Sequence, residues 1–562
     1  MIKKLKALHT DLKLYLKIRK EEFAKNSEGR KDLAQTKYRT YYKSAPIIKN
    51  TILYESYAGR GMVCNPYAIF KYLLHHPEFT HLKHYWIIED FEDNRWIMEQ
   101  YKNYSNIYFI KYRSDSYYKY MASCEYLITN VAFPAFLTPK SGQHYINTWH
   151  GIPLKTLGFD IPKGNISSRN TLRNFLMCDY LISPNSFMTS IYKTAFRLDG
   201  LYPGSIVEEG QPRNDLLFHT NSDDIKRKLL LCGIKLDLNK KIILYAPTWR
   251  GEIYEEPDTD LNEYFRFLKI LEDTIDTTKY QILIKPHQIV YKYIKSNKAL
   301  TDQFIPATID ANELMSIVDV LISDFSSIFF DFLATNRPVL FYIPDLEEYK
   351  KSRGLYNSID FLPGPVTDTM EDLPYLIANL ENVQKDYKKQ YINLKSWACP
   401  YDNGAVCERL INTIFYHKNE YRQIKCQLSQ KKKLLIYGGN LCNRSIRTSI
   451  LGLINCINFD QFDVTLFLLP NNDQSNYDLI CSIDSKVRVL SFLGPYNSDL
   501  KEQICYRMSS HKDSSFLAQK LFFPNKLFSD ESKRIVGNAS FDFVFDFAGD
   551  NFYYQSDRKS VV

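Results

Sequence analysis

From about residue 50 the chain alternates short runs of branched and aromatic residues with longer stretches whose apolar positions recur every three or four residues, and that alternation most constrains its fold. The segments 51–54, 85–88, 107–110, 126–129 and 143–148 read as strands, and 66–74 and 116–121 as amphipathic helices between them. A tight turn joins antiparallel strands, whereas a helix-long connection brings the chain back to lay the next strand parallel to the last. The pattern therefore predicts a parallel sheet covered by helices on both faces. Segments 205–208, 241–246, 280–285, 320–323 and 338–342 repeat the arrangement and predict a second doubly wound half over roughly 205–400. Two such halves leave a cleft, and open α/β sheets bind ligands beyond the carboxyl ends of their strands.

A polar, basic break, Ser429-Gln430-Lys431-Lys432-Lys433, precedes a further strand at 434–437 that runs into Gly438-Gly439-Asn440. This predicts a third, partial α/β domain over 431–562, after lobes spanning 51–204 and 205–425. The length of 562 residues accommodates such a count, and 45% hydrophobic with 24% charged residues excludes a disordered chain or a coiled-coil rod. No apolar run approaches the ~18 residues of a membrane span, and Met1-Ile2-Lys3-Lys4 does not open a secretory signal, so an intracellular protein is expected. The 11 Cys are scattered without a C-x-x-C pair, which predicts reduced thiols in cores rather than disulfides or a zinc site.

Charge is concentrated at one end. Residues 1–50 carry 14 Lys/Arg against 5 Asp/Glu, which leaves the other 512 residues at −1 of the total +8. Within that segment Leu5, Leu8, Leu12 and Tyr15 or Leu16 share one face of a helix, and lysines fill much of the remainder. A basic amphipathic helix suits an anionic membrane surface, where each Lys or Arg contributes about 1 kcal/mol. Packing on the body of the protein is the alternative. A nucleic-acid arm is not expected, since Tyr38, Tyr41 and Tyr42 show no interleaved stacking pattern.

The polar clusters that carry chemistry follow predicted strands. In Asn147-Thr148-Trp149-His150-Gly151 a histidine stands at a strand exit, where an imidazole serves as a general base or as a turn cap. Lys285-Pro286-His287 feeds a cation and an imidazole into the cleft, a pair suited to a pyrophosphate. Ser323-Asp324-Phe325-Ser326-Ser327 runs from a strand into a helix start, where Ser326 and Ser327 offer caps, hydroxyls and N–H groups to an anion. Asp331, further along, suits a ribose or polyol hydroxyl, or solvent. Gly210-Gln211-Pro212-Arg213-Asn214-Asp215 and Ala246-Pro247-Thr248-Trp249-Arg250 add Arg213 and Arg250 for a second phosphate. Five polar strand exits in one two-lobed chain favour a phosphate-bearing donor. The chain has no Gly-x-x-x-x-Gly-Lys-Ser/Thr, no His-Glu-x-x-His, and no Gly-x-Gly-x-x-Gly after the first strand, which disfavours nucleotide hydrolysis, metalloproteolysis and hydride transfer. Asp258-Thr259-Asp260 reads as a helix cap rather than a metal pair, so no metal or cofactor is expected.

Together with Tyr54-Glu55-Ser56-Tyr57 and Asn65-Pro66-Tyr67-Ala68-Ile69, these segments resemble, in order and spacing over roughly 50–400, the CDP-glycerol glycerophosphotransferase family. That family makes wall teichoic acid and related capsular polymers. The resemblance implies a GT-B-like pair of Rossmann-like lobes that moves a polyol phosphate from CDP-glycerol or CDP-ribitol to a lipid-linked acceptor at the inner membrane face, releasing CMP. It implies His150 as base and His287 as a phosphate contact, with Ser326 and Ser327 on the pyrophosphate and Arg213, Thr248, Arg250, Lys285 and Asp324 around them. A nucleotide-sugar glycosyltransferase of the same fold and a silent membrane scaffold are the alternatives. Residues 431–562 resemble the first lobe of a GT-B glycosyltransferase without the lobe that binds the sugar nucleotide, so no catalysis by this part alone is expected; a truncated or split two-enzyme chain is the expectation, and a binding or docking role the alternative.

Overall fold

The computed structural model describes residues 2–161, 168–250, 261–295, 302–347, 354–426, 430–439, 441, 444–469 and 483–547. Asp258, Asp260, Ser429 and Asn440, singled out above, lie outside the described residues.

Three sheets organise the chain, an α/β fold throughout. The first has eight strands in the order β13-β7-β6-β5-β4-β1-β2-β3. They are β1 Ile48–Glu55, β2 Lys83–Ile88, β3 Ile107–Lys111, β4 Cys124–Thr129, β5 His144–Asn147, β6 Tyr180–Ser183, β7 Ser205–Glu208 and β13 Gln423–Ile424. All pair in parallel except β13, which returns antiparallel on β7. The second sheet, β12-β11-β10-β8-β9, is wholly parallel and comprises β8 Lys241–Tyr245, β9 Tyr280–Ile284, β10 Val320–Ser323, β11 Val339–Tyr342 and β12 Val366–Thr367. The third is β16-β15-β14-β17, with β14 Lys432–Gly439, β15 Phe462–Leu468, β16 Arg488–Ser491 and β17 Phe543–Asp546, also parallel.

The strand orders locate the crevices. Sheet one reverses direction between β1 and β4, and sheet two between β8 and β10. Loops leaving the two sides of such a switch point diverge and open a pocket. The strands are buried nearly end to end, as Leu53, Tyr54, Leu127, Ile146, Leu244 and Ile322 show, because helices cover both faces.

One expectation is corrected. The strand at 205–208 does not open the second half; it is β7 of the first sheet and pairs with β6. An apolar run states that a strand forms but not which sheet receives it.

The N-terminal segment turns back onto the far end of the chain. Helix α1 (Ile2–Ser27) buries Leu14 and Ile18 against Ile504, Met508 and Ala518. Tyr15 stacks on Phe522 at 5.5 Å, and Asp11 accepts from Ser515 N at 2.9 Å. Helix α2 (Ala34–Ser44) adds the buried Arg39, which donates to Glu502 (Nε to Oε2, 3.0 Å) and to Asp530 (2.7 Å). Leu8, Leu12, Leu16 and Phe23, 47–63% exposed, form a stripe on a different face of α1 from Leu14 and Ile18. The helix therefore packs on the body by one face and leaves an apolar stripe outward on another. The third sheet shares a core with the first: Phe175, Leu176 and Tyr38 meet Leu435, Tyr437, Leu490 and Phe528 in one apolar cluster.

Candidate active site

A cavity of about 620 Å³ lies where the exits of β4 and β5 face those of β8, β9 and β10. His150, Arg213, Thr248, Lys285, His287, Ser326 and Ser327 all line it, drawn from five separate strand exits. Asp324 and Arg250 stand behind its wall.

The turn after β5 is what presents His150. Trp149 takes φ 48° and Gly151 φ 131°, the first costly for a residue with a Cβ. The turn is over-determined from outside: Trp149 N donates to Asn147 Oδ1 at 3.0 Å, and Asn65 Nδ2 donates to the Trp149 carbonyl at 3.0 Å. At Gly151 a Cβ would stand 2.7 Å from Arg213 Nη2, so only glycine lets the guanidinium pass beneath the turn. His150 Nδ1 lies 2.8 Å from the carbonyl of Asn130. A carbonyl only accepts, so Nδ1 carries the proton and Nε2 is left with a bare lone pair. Burial pushes the imidazole down to about 4, with Arg213 and Lys155 adding to the effect against the Asn130 bond, so it is neutral at pH 7.

His287 is built the opposite way. It caps the helix Gln288–Ile294, and its Nδ1 accepts from Ile289 N at 3.4 Å. The proton therefore sits on Nε2. Burial, reinforced by Lys155, Arg60 and His150, lowers it to about 3. One cavity thus holds two neutral imidazoles in complementary tautomers, one an acceptor and the other a donor.

The loop after β10 supplies hydroxyls. Asp324 is buried, accepts from Thr248 N at 2.8 Å and Ser326 N at 3.0 Å, and pairs with Arg250 at 2.7 Å. It ties the exits of β8 and β10 together. Ser327 precedes the helix Ile328–Phe332 with φ −70° and ψ −1°. That helical backbone keeps its side chain from reaching back, and its hydroxyl makes no capping bond, whereas a capping serine is extended. Arg250 is held by Asp345 at 2.6 Å as well as by Asp324, so it braces the wall. Lys285 Nζ donates to the carbonyls of Ile309 (2.8 Å) and Pro306 (3.2 Å), and burial lowers it to about 8.

Arg213 is buried and paired at 2.7 Å with Asp331, which is itself buried and also lines the cavity. Asn130, Asn65 and Asp310 are the structural partners that strand-exit reasoning did not supply. Asn130 acts through its main chain, which leaves no mark in a sequence. Asp310 caps the helix Ala311–Met315 and accepts from Cys64 N at 2.6 Å, joining the lobes. Asn65 alone carried a signal, as part of the Asn-Pro motif. Among the described residues no cluster of His, Cys, Asp or Glu is placed to hold a metal ion.

The arrangement suits transfer of a phosphoryl-centred group: an acceptor for a hydroxyl proton faces donors suited to phosphate oxygens. Comparison with known proteins agrees. The model of the CDP-glycerol:poly(glycerophosphate) glycerophosphotransferase family matches residues 37–416. A teichoic acid poly(glycerol phosphate) polymerase of Bacillus spizizenii is 33% identical over 61% of this chain and 86% of its own length. The Bacillus subtilis polymerase of the same description is 30% identical over 73% of this chain, which spans only 55% of that relative. A teichoic acid glycerol-phosphate transferase of Staphylococcus aureus is 30% identical over 65% of this chain and 93% of its own length. The solved structure of the wall teichoic acid polymerase TagF superposes with a TM-score of 0.58 at 27% identity, covering 72% of this chain and 97% of that one.

Proposed function

The chain belongs to the CDP-glycerol:poly(glycerophosphate) glycerophosphotransferase family, and from that premise we propose that it transfers glycerol phosphate from CDP-glycerol to a hydroxyl of a lipid-linked acceptor. The products are CMP and an acceptor longer by one unit of a teichoic acid or capsular polymer. The pair of complementary imidazoles in one interlobe cavity carries this reading. The acceptor hydroxyl gives its proton to His150 Nε2, and its oxygen bonds to the phosphorus that bears glycerol. The bond from that phosphorus to the bridging oxygen breaks, and the electron pair leaves with CMP. His287 Nε2–H and the hydroxyls of Ser326 and Ser327 face the phosphate oxygens as charge builds on them. Arg213, Thr248 and Lys285 shape the remaining wall, which Asp324 and Arg250 brace.

The test is CMP release by the purified protein with a lipid-linked glycerol-phosphate acceptor, offered CDP-glycerol, CDP-ribitol, UDP-sugars and GDP-sugars in turn. Release of CMP from CDP-glycerol is expected, with turnover at least tenfold above that with CDP-ribitol. Release of UDP or GDP in its place would overturn the reading in favour of a glycosyltransferase.

The proposed place of action is the inner membrane surface, reached without a spanning helix. The described residues include no helix long and apolar enough to cross a bilayer. Support comes from Leu8, Leu12, Leu16 and Phe23, exposed on a helix rich in lysine, and from Phe516, Leu517 and Leu521, 69–81% exposed on the adjoining helix Phe516–Leu521. Apolar side chains beside basic ones are what an anionic interface takes up. Exchanging Leu8, Leu12 and Leu16 together for serine is expected to weaken sedimentation with phosphatidylglycerol vesicles about a hundredfold, at roughly 1 kcal/mol for each half-immersed leucine. Unchanged sedimentation would remove the helix from the membrane.

A further inference from the structure

A second and larger cavity, about 1080 Å³, opens between the same two lobes. Its first-lobe wall is made by the exits of β1 and β2 and by the helix Arg95–Tyr101. Its second-lobe wall is made by the helix Gln288–Ile294 and the loop 306–308. Gln288 and Ala307 line both this cavity and the catalytic one. Gln288 directly follows His287, so the wall the two volumes share lies next to that residue in the chain.

The chemistry of the walls differs from that of the catalytic cavity. Five carboxylates, Glu89, Asp90 and Asp93 among them, alternate with six cations that include Arg60, Arg227 and Lys292. Carboxylates only accept hydrogen bonds, so they recognise hydroxyl groups; the cations recognise phosphate or hydroxyl oxygens. Trp96, pinned to Thr308 by its indole N–H at 3.1 Å, and Tyr291 present aromatic surface from opposite lobes. Lys295 reaches across to Asp93 at 2.5 Å. Such exposed ion pairs are worth about 0–1 kcal/mol, and a ligand displaces them at little cost. With six positive charges against five negative, the groove is close to neutral and is no trap for the closely spaced charges of a nucleotide's phosphates. It suits a flexible ligand rich in hydroxyls, charged at intervals or not at all.

We propose that this groove is an acceptor subsite that binds the hydroxyl-rich segment behind the attacking hydroxyl, whether polyol-phosphate units or the sugars to which they are attached. The inference rests on the transferase reading, because an acceptor whose terminal hydroxyl reaches His150 must run its next units out of the catalytic cavity. The wall at Gln288 and Ala307, common to both cavities, adjoins a volume of the right size and chemistry.

The test pairs Glu89→Ala with Lys292→Ala, two exposed side chains on opposite walls of the groove. Acceptors are glycerol phosphate alone, oligomers of two to four glycerol phosphates, and one glycerol phosphate linked to a disaccharide. With the wild-type protein, kcat/KM is expected to rise at least tenfold from the single unit to the extended acceptors. In the double variant that gain shrinks severalfold or more through KM, while KM for CDP-glycerol and kcat with the single unit stay within twofold. A gain confined to the oligomers identifies the polymer as the occupant; a gain confined to the disaccharide compound identifies the sugars. Equal use of all acceptors by the wild-type protein, or the same gain in the variant, overturns the proposal. Calorimetric titration of the extended acceptors in the absence of donor is read alongside. Binding weakened by the variant without any CMP release would keep the groove and fault the transferase reading, whereas CMP release with no length dependence would do the reverse.

Discussion

Replacing His150 with alanine is expected to lower kcat for CMP release at least a hundredfold while the affinity for CDP-glycerol stays within about twofold, since a positioned base contributes on the order of 10²–10⁴. In the proposed reaction the donor's phosphates face His287, Ser326 and Ser327 and the base touches only the acceptor, so loss of the base is expected to fall on turnover. The pH profile tests the same atom. In the free protein burial holds His150 down to about 4, so the bare Nε2 persists far into acid. The fall of kcat/KM on the acid side therefore lies near pH 4, below the usual imidazole range around 6.5. A bound diphosphate brings negative charge beside the ring and favours the imidazolium, which moves the acid limb of kcat upward relative to that of kcat/KM. A His150→Ala protein that turns over normally, or that keeps the wild-type acid limb, would sink the assignment.

What was legible in the sequence followed from how local each feature is. β1 to β5 and β8 to β11 announce themselves because parallel strands buried on both faces are unbroken apolar runs. β7 was recognisable as a strand but not as a member of the first sheet, because strand pairing is a matter of tertiary structure. His150, His287 and the serines were legible as polar strand exits, and one cavity collects them. Their tautomers were not, since one depends on the carbonyl of Asn130 and the other on the N–H of Ile289. Arg250 was legible as a cation, but its capture by Asp345, 95 residues on, is a matter of tertiary structure. The stripe on α1 could be read from spacing; that Leu14 and Ile18 dock beside Ile504 and Met508 could not.

Arg213 ties fold and chemistry together, and its removal should cost both. It follows β7 of the first sheet, while Asp331 lies in the helix after β10 of the second, so their 2.7 Å pair crosses the lobe interface. Both side chains are buried, 8% and 4% exposed. Arg213→Ala strands a carboxylate there, and breaking a buried pair from one side costs about 3–5 kcal/mol. Burial already raises Asp331, opposed chiefly by Arg213; without the guanidinium it rises further. A carboxyl raised in the folded state holds its proton more tightly there than when unfolded, so the variant loses stability as pH rises through that folded value and regains it in acid. The second variant, Arg213→Met with Asp331→Leu, replaces the pair by apolar side chains and is expected to return the urea midpoint close to the wild-type value. It should not return activity, because the guanidinium also lines the catalytic cavity beneath Gly151, where no methionine supplies its charge. Urea midpoints and CMP release on the two variants separate these roles: recovered stability with turnover still down at least a hundredfold makes the Arg213–Asp331 pair, both of whose side chains line the cavity, part of the chemistry, and recovery of both would reduce it to a strut between the lobes.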